Sequence, residues 1–289
     1  MQFTDETEAD LRGLIEQDFG RLKGDGLTHL HVLDWIHYRA RLIPCRARSV
    51  AVSPEVAARM ADYPAIARLK AEFEGGRDVS PWLSDRVRKH KDDPMADLMF
   101  NDWQISHFHL GNLFVAPDKV GPRRKGELLL FALVKANRVT FLALHPHGAW
   151  SMQEILRVLL RTSPQDLREM KGAIPPPNSE RTDAQILELR QNGLTAPIQI
   201  NGKMFLPPGL GVSTSLHSTR LVRHFNNLSR QIRDLGRRLK ENDLPNSVLM
   251  QLAVIGVPVR LGIKLYHDGC LVLHEKTRGL DLVSLPPLE

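Results

Sequence analysis

The chain has 289 residues, 42% of them hydrophobic and 25% charged, a composition typical of a soluble globular protein with a sizeable core. No stretch approaches the roughly 18 uncharged apolar residues of a membrane helix, and the acidic, amphipathic N-terminus is unlike a secretory signal. Cys45 and Cys270 lie far apart and in no metal-ligand spacing. We therefore expect a cytoplasmic protein with no membrane partner and no disulfide scaffold.

The formal net charge is +6, and the positive charge is concentrated in residues 37–49, 85–91, 121–126 and 230–240. Any one such cluster is usually a solvated face, but together they favour a nucleic-acid or nucleotide partner. Acidic partner proteins are the alternative. The candidate nucleic-acid-binding residues are Arg46, Arg48, Arg123, Arg124, Lys125 and Arg138.

Residues 1–96 are predicted to be mostly helical. An apolar stripe predicts an amphipathic helix over 5–23, whereas the alternation of apolar and polar residues over 26–44 predicts a strand. Serine or proline signals then start helices at Ser53-Pro54, at Pro64 and at Ser80-Pro81, the last reaching about Lys91.

Residues 97–171 are predicted to form a small antiparallel sheet-plus-helix core. "QISHFHLGNLFV" is typical of a strand, and "ELLLFALV" and "RVTFLALH" predict a hairpin around residues 135–137. Ser151 with Glu154 predicts a capping box at the start of the next helix. The proline-rich segment 172–181 cannot join a helix or a ladder, so it is predicted to be a linker.

Residues 182–289 are predicted to form an α+β region, which completes an α+β fold class for the chain. Thr182 with Gln185 predicts a second capping box, and Asn201-Gly202 predicts a hairpin turn. The segment 216–241 predicts a long basic helix with an a/d seam, which its own chain or a second copy must cover, so a homodimer through this helix is one expectation. A final hairpin turns at Asp268-Gly269.

Four of the chain's twelve histidines lie close together as two His-x-His pairs, His107 with His109 and His145 with His147. Residues two apart on a strand share a face, so His107 and His109 should project together onto a surface or cleft, away from Phe108 and Leu110. Two imidazoles on one surface can supply the base and the acid for metal-independent RNA cleavage.

The candidate catalytic residues are therefore His107, His109 and His147, with Asp102 holding one imidazole in its productive tautomer. Metal binding is the competing hypothesis, since neutral imidazole binds transition metals, and ordinary half-buried strand histidines are the third. Phosphate-loop, dinucleotide-binding and nucleophile-elbow motifs are absent from the sequence, so we expect no cofactor.

The block from Asp97 to Thr162 resembles the compact ribonucleases of toxin and phage-defence systems, the RelE and EndoU-like group. The resemblance rests on "DWQISHFHLG", "LLLFALV", "VTFLAL" and "HPHGAW", which follow a D-W-x-I-H-H-x-H-L-G strand, two apolar strands and an H-G-x-W turn. His107, His109 and His147 match the motif's histidines, while Ser106 stands where a histidine is expected. The resemblance implies metal-independent RNA cleavage, held off by an antitoxin or a regulatory partner domain.

Three functions follow from these patterns. The leading hypothesis is an RNA-cleaving toxin or defence nuclease that uses histidine acid/base chemistry. The second is a non-enzymatic nucleic-acid-binding or regulatory protein that acts through residues 182–240, with structural histidines. The third is a metal-dependent hydrolase at the histidine cluster.

Overall fold

The α+β class is confirmed by the computed structural model, in which helices accompany small sheets. The structure describes residues 3–84, 87, 97–111, 114–116, 119–120, 128–149, 151–177, 179–213, 217–252, 258–266 and 268–285. Within these ranges, no helix combines the length and the apolar character needed to cross a bilayer.

The helices and strands have the following bounds. The helices are α1 Thr7–Phe19, α2 His29–Arg41, α3 Pro54–Ala57, α4 Pro64–Glu74, α5 Leu98–Trp103, α6 Gln153–Thr162, α7 Asp183–Gln191, α8 Thr219–Glu241 and α9 Asn246–Leu252. The strands are β1 Phe3–Asp5, β2 Ser49–Val52, β3 Ile105–His109, β4 Phe114–Ala116, β5 Lys119–Val120, β6 Leu128–Val134, β7 Arg138–Pro146, β8 Ile198–Ile200, β9 Lys203–Phe205, β10 Val259–Leu265, β11 Leu271–Glu275 and β12 Leu280–Leu285. Short 3-10 helices occupy Ser80–Trp82 and Pro164–Asp166.

The chain divides into two compact units whose boundaries differ from the four predicted segments 1–96, 97–171, 172–181 and 182–289. The terminal unit consists of Met1–Ala40 with Leu221–Leu288, and the central unit is built on Arg41–Arg220. Strand pairing between distant segments is the physical reason for this difference. β1 pairs in parallel with β10, which joins the two ends of the chain, and β2 pairs in parallel with β7, which adds a strand from the N-terminal segment to the predicted antiparallel core.

The predicted linker 172–181 lies within the central unit and not between two units. Its described residues carry no helix or strand, as its prolines dictate. The Ser179 hydroxyl donates a hydrogen bond to Gln199 Oε1 at 2.9 Å, which ties the segment to β8.

The terminal unit has a four-stranded sheet in the order β1-β10-β11-β12. The predicted long helix is confirmed as α8, and its Leu221, Leu228, Leu235 and Leu239 are buried in one cluster with Leu11, Val259 and Ile263. Phe225 and Ile232 are half-buried against the same cluster. Their own chain therefore covers the a/d seam, so the seam is not a free surface for the homodimer expected through 216–241.

Helix α2 occupies residues 29–41 of the segment 26–44, so the predicted strand is wrong. The Thr28 hydroxyl oxygen accepts a hydrogen bond from the His31 backbone N–H at 3.3 Å, and the Thr28 backbone N–H donates to His31 Nδ1 at 3.3 Å. This is the reciprocal geometry of a capping box, with histidine in the position usually held by Glu or Gln. Val32, Trp35 and Ile36 are then buried at helical spacing.

The central unit has a four-stranded sheet in the order β2-β7-β6-β3, and the predicted hairpin is confirmed as β6 and β7. Phe73 of α4 contacts Phe108 and Phe141 at ring distances of 5.6 and 6.1 Å, which marks one covered face. Ile105, Leu129 and Phe131 belong to a second buried cluster, shared with the apolar residues of α6.

Several helix-start and turn signals have clear outcomes. Ser53 caps α3 as predicted, and the Thr182–Gln185 capping box is present. Asn201 and Gly202 turn with φ of 53° and 73°, which confirms the hairpin β8–β9. The Ser80-Pro81 start forms a short 3-10 helix, and most of the predicted extension to about Lys91 lies outside the described residues.

The predicted capping box at Ser151 is wrong, because α6 begins two residues later at Gln153. The backbone N–H of Gln153 donates to Asp183 Oδ1 at 3.1 Å, so a carboxylate from the start of α7 satisfies this helix end.

The burial of the α8 seam predicts a large loss of stability when one of its leucine side chains is shortened. Leu228 is 1% exposed, and Leu228→Ala should lower the free energy of unfolding by about 2–5 kcal/mol, because it removes buried methyl groups and leaves a cavity. Denaturant unfolding followed by circular dichroism measures this. Asn226→Ala, on the exposed side of the same helix, should change the free energy by about 0.5 kcal/mol or less. Equal effects would contradict the assignment of the seam to the core.

Candidate functional site

The short helix α5 brings a carboxylate to the histidine strand. Asp97 caps this helix, and its Oδ1 accepts a hydrogen bond from the Phe100 backbone N–H at 3.0 Å. Gln104 ends the helix in the left-handed conformation, and β3 begins at the next residue. Because six helical residues span only about 9 Å, this connection leaves Asp97 beside β3.

Asp97 joins an imidazole and a guanidinium in a buried cluster. His107 Nδ1 lies 2.8 Å from Asp97 Oδ2, and Arg41 Nη2 lies 2.9 Å from the same oxygen. The Arg41 guanidinium also lies over the Phe100 ring, 5.2 Å from its centroid. Burial by itself would raise the pKa of Asp97, but the positive charges of His107 and Arg41 outweigh it and hold that pKa well below its ordinary value.

The imidazoles of His107, His109 and His147 follow one another and form what we call the histidine row. The ring centroids of His107 and His109 are 5.5 Å apart, and those of His109 and His147 are 6.3 Å apart. The exposed fractions of His107 and His109 are only 6% and 3%, while His147 is exposed. The row therefore runs from the buried Asp97 cluster to the surface.

The predicted shared face of His107 and His109 is confirmed, since their rings are neighbours while Phe108 packs against Phe73. Leu110 is buried, as predicted. The expectation that these two imidazoles lie on a surface or cleft is wrong. Both side chains are buried, on the face of β3 where Ile105 belongs to a core cluster.

His145 completes the group of four histidines. It pairs with Leu129 of the central strand β6, and Leu129 pairs on its other side with His109 of β3. The three residues therefore form one line across the sheet. Its ring lies 6.2 Å from that of Phe131, and the Phe131 ring lies 6.2 Å from that of His107. Burial lowers the pKa of His145, although Glu154 and Asp183 act in the opposite direction. A lowered pKa favours the neutral imidazole, the form that accepts a proton.

Asp102 contacts a guanidinium and not an imidazole, so its predicted role in holding a tautomer is wrong. Its Oδ2 lies 2.6 Å from Arg190 Nε, and both side chains are buried. Burial raises the pKa of Asp102 and lowers that of Arg190, against the attraction between the two charges. The pair fastens α5 to α7, and the carboxylate that reaches an imidazole is Asp97, at the other end of α5.

A close backbone approach also fixes the end of α5. The Gly209 N–H donates to the Asp102 backbone oxygen at 2.9 Å. A Cβ at Gly209 would lie 1.6 Å from the Asn101 backbone oxygen. Only glycine fits this contact.

The predicted nucleic-acid-binding residues have different positions. Arg46 is exposed, as a phosphate contact requires. Arg48 is buried and donates to the backbone oxygens of Lys135 and Pro44, both at 2.9 Å, so its guanidinium serves the fold and the prediction for it is wrong. Arg138 Nη2 lies 2.6 Å from Asp166 Oδ1. The remaining three, Arg123, Arg124 and Lys125, lie outside the described residues.

Over the described part of the chain, no group of three or more His, Cys, Asp or Glu side chains is placed to hold a metal ion. No protein-family model, curated protein or solved structure matches the chain. The resemblance to RelE and EndoU-like ribonucleases therefore stays a prediction.

Asp97 and Arg41 were not identified from the sequence. Asp97 could have been recognised as the cap of the helix that precedes the histidine strand, because Asp is a favoured N-cap residue. Arg41 lies 56 residues away in the chain from its partner, and no local pattern indicates that it is buried.

The buried cluster predicts a marked cost for Asp97→Asn. The substitution removes the negative charge opposite a buried Arg41, so it should lower the free energy of unfolding at neutral pH by about 3–5 kcal/mol. Denaturant unfolding followed by tryptophan fluorescence measures it. Asp62→Asn is the matched control, because the Asp62–Arg59 pair is exposed and such pairs contribute about 1 kcal/mol or less. A cost for Asp97→Asn no larger than that of the control would contradict the cluster.

The lowered pKa of Asp97 also predicts a pH dependence with a definite sign. A carboxyl whose pKa is lower in the folded state stabilises the fold above its unfolded pKa, here near 3.8. This contribution is lost as pH falls from there through the folded pKa. The stability difference between the unsubstituted protein and Asp97→Asn should therefore shrink between about pH 5 and about pH 2, as unfolding curves at each pH will show. A difference that stays constant over this range would contradict the assignment.

Proposed function

We propose that this protein is a cytoplasmic, metal-independent endoribonuclease of the toxin or phage-defence type. The single observation that carries the proposal is the histidine row, which leads from the ionised Asp97 to the exposed imidazole of His147. Row geometry of this kind supports acid/base chemistry, because imidazole exchanges protons near neutral pH without a metal.

The reaction is transesterification by the ribose 2′-hydroxyl. A base removes the proton from the 2′-oxygen, which attacks phosphorus. The bond from phosphorus to the 5′-oxygen breaks, and an acid protonates that oxygen. His145, whose lowered pKa favours the neutral form, is assigned as the base, and the exposed His147 is assigned as the acid.

The buried histidines have a different role in this proposal. His107 and His109 are too deeply buried to touch RNA, so they are positioning residues behind His147. Asp97 fixes the orientation of the first imidazole, and the ring contacts carry that orientation along the histidine row. Among the predicted nucleic-acid-binding residues that the structure describes, Arg46 is exposed, and we assign it the phosphate contact. The resemblance to toxin ribonucleases further implies that an antitoxin or a regulatory partner domain holds the cleavage activity off.

The alternatives have less support. The non-enzymatic hypothesis treated residues 182–240 as one binding module, but α7 and the β8–β9 hairpin belong to the central unit, while α8 from Leu221 onward belongs to the terminal unit. The metal-dependent hypothesis differs from the proposal in one measurable property, which is sensitivity to a chelator.

The proposal predicts that His147→Ala lowers the rate of RNA cleavage about 10²–10⁴-fold, because it removes the general acid. His145→Ala should have an effect of similar size through loss of the base. Cleavage of total cellular RNA by the purified protein, with and without a chelator, measures both.

His29→Ala is the matched control. It removes an exposed histidine of another His-x-His pair, in the terminal unit, and should leave the rate unchanged. Activity of His147→Ala equal to that of the unsubstituted protein, or no cleavage of any RNA by the unsubstituted protein, would end the proposal. Loss of cleavage with the chelator would assign the site to a metal.

A further inference from the structure

Helix α8 carries a second regular pattern besides its buried seam. Polar and basic residues recur at intervals of three, four, three, four and three, and all of them are exposed. We call this set the basic row. Its members are Arg223, Asn226, Arg230, Arg233, Arg237 and Lys240.

The basic row lies on the side of α8 opposite to the buried leucines. At 100° per residue, Arg223 falls about 140° and Arg230 about 160° from Leu228 around the helix axis. Because the leucine face is packed in the core of the terminal unit, the basic row faces solvent on a helix that packing holds in place.

The charge of the row is only partly balanced by neighbouring acids. Arg237 lies 2.9 Å from Asp234 and 2.6 Å from Glu241, so its charge is shared. Arg230 donates to the amide oxygen of Asn227 at 2.8 Å, which is a neutral partner. From Arg223 to Lys240 the row extends about 25 Å along the helix. No member of the row itself is acidic.

We propose that the basic row binds the phosphodiester backbone of a nucleic acid. A single phosphate would need one compact cluster, whereas a linear polyanion suits charges repeated along about 25 Å. Arginine predominates, and its planar guanidinium matches phosphate oxygens in bidentate geometry. A membrane surface fits less well, because helices that lie on bilayers insert an apolar face, and that face of α8 is packed inside the unit. This proposal stands independently of the ribonuclease assignment.

The test compares two triple variants with the same change in net charge. Arg223→Ala/Arg230→Ala/Arg233→Ala removes three charges from the basic row and keeps helix propensity, since alanine is the best helix former. Arg21→Ala/Lys23→Ala/Lys171→Ala removes three exposed charges elsewhere. The probes are a duplex DNA and a single-stranded 2′-O-methyl RNA, both of which lack the attacking hydroxyl and therefore resist cleavage. Circular dichroism confirms that each variant is folded.

Fluorescence anisotropy between about 50 and 200 mM salt gives the affinity and its salt dependence. For at least one probe, the affinity of the basic-row variant should be lower than that of the unsubstituted protein by a factor of about ten or more. The slope of log affinity against log salt concentration should be smaller by about two to three. The control variant should stay close to the unsubstituted protein. Equal losses in both variants, no binding of either probe, or binding only to vesicles of anionic phospholipid would overturn the proposal.

Discussion

The ion pairing of one buried carboxylate organises the candidate site. Asp97 is buried, and it stays ionised because Arg41 and His107 both contact its Oδ2. A buried charge without such partners would cost several kcal/mol. The same oxygen therefore holds Arg41, the start of α5 and the middle of β3 in one arrangement.

Helix α5 places two carboxylates in different surroundings although they lie only five residues apart. The positive charges around Asp97 prevail over burial and lower its pKa, whereas burial prevails at Asp102 and raises its pKa despite Arg190. The first carboxylate contacts the histidine row, and the second fastens α5 to α7. One end of this short helix thus serves the candidate chemistry, and the other end serves the architecture.

Local patterns in the sequence determined most of the elements. The alternation through "SHFHL" gave the shared face of His107 and His109, and the four-three repeat gave α8 with its buried leucines. The Asn201-Gly202 turn and the Thr182–Gln185 capping box were equally local and correct. Such signals depend on residues within one or two turns of each other, so a single segment contains all the information needed to recognise them.

Only the tertiary structure decided which elements meet and which side chains are buried. The pairing of β1 with β10 and of β2 with β7 joins residues that are remote in the chain, so segment boundaries read from composition differ from the observed units. Tertiary contacts likewise decided that Asp97, and not Asp102, contacts an imidazole, and that Arg48 is buried. Burial and ion pairing are properties of the neighbours that folding brings together, and a sequence pattern of a few residues does not contain those neighbours.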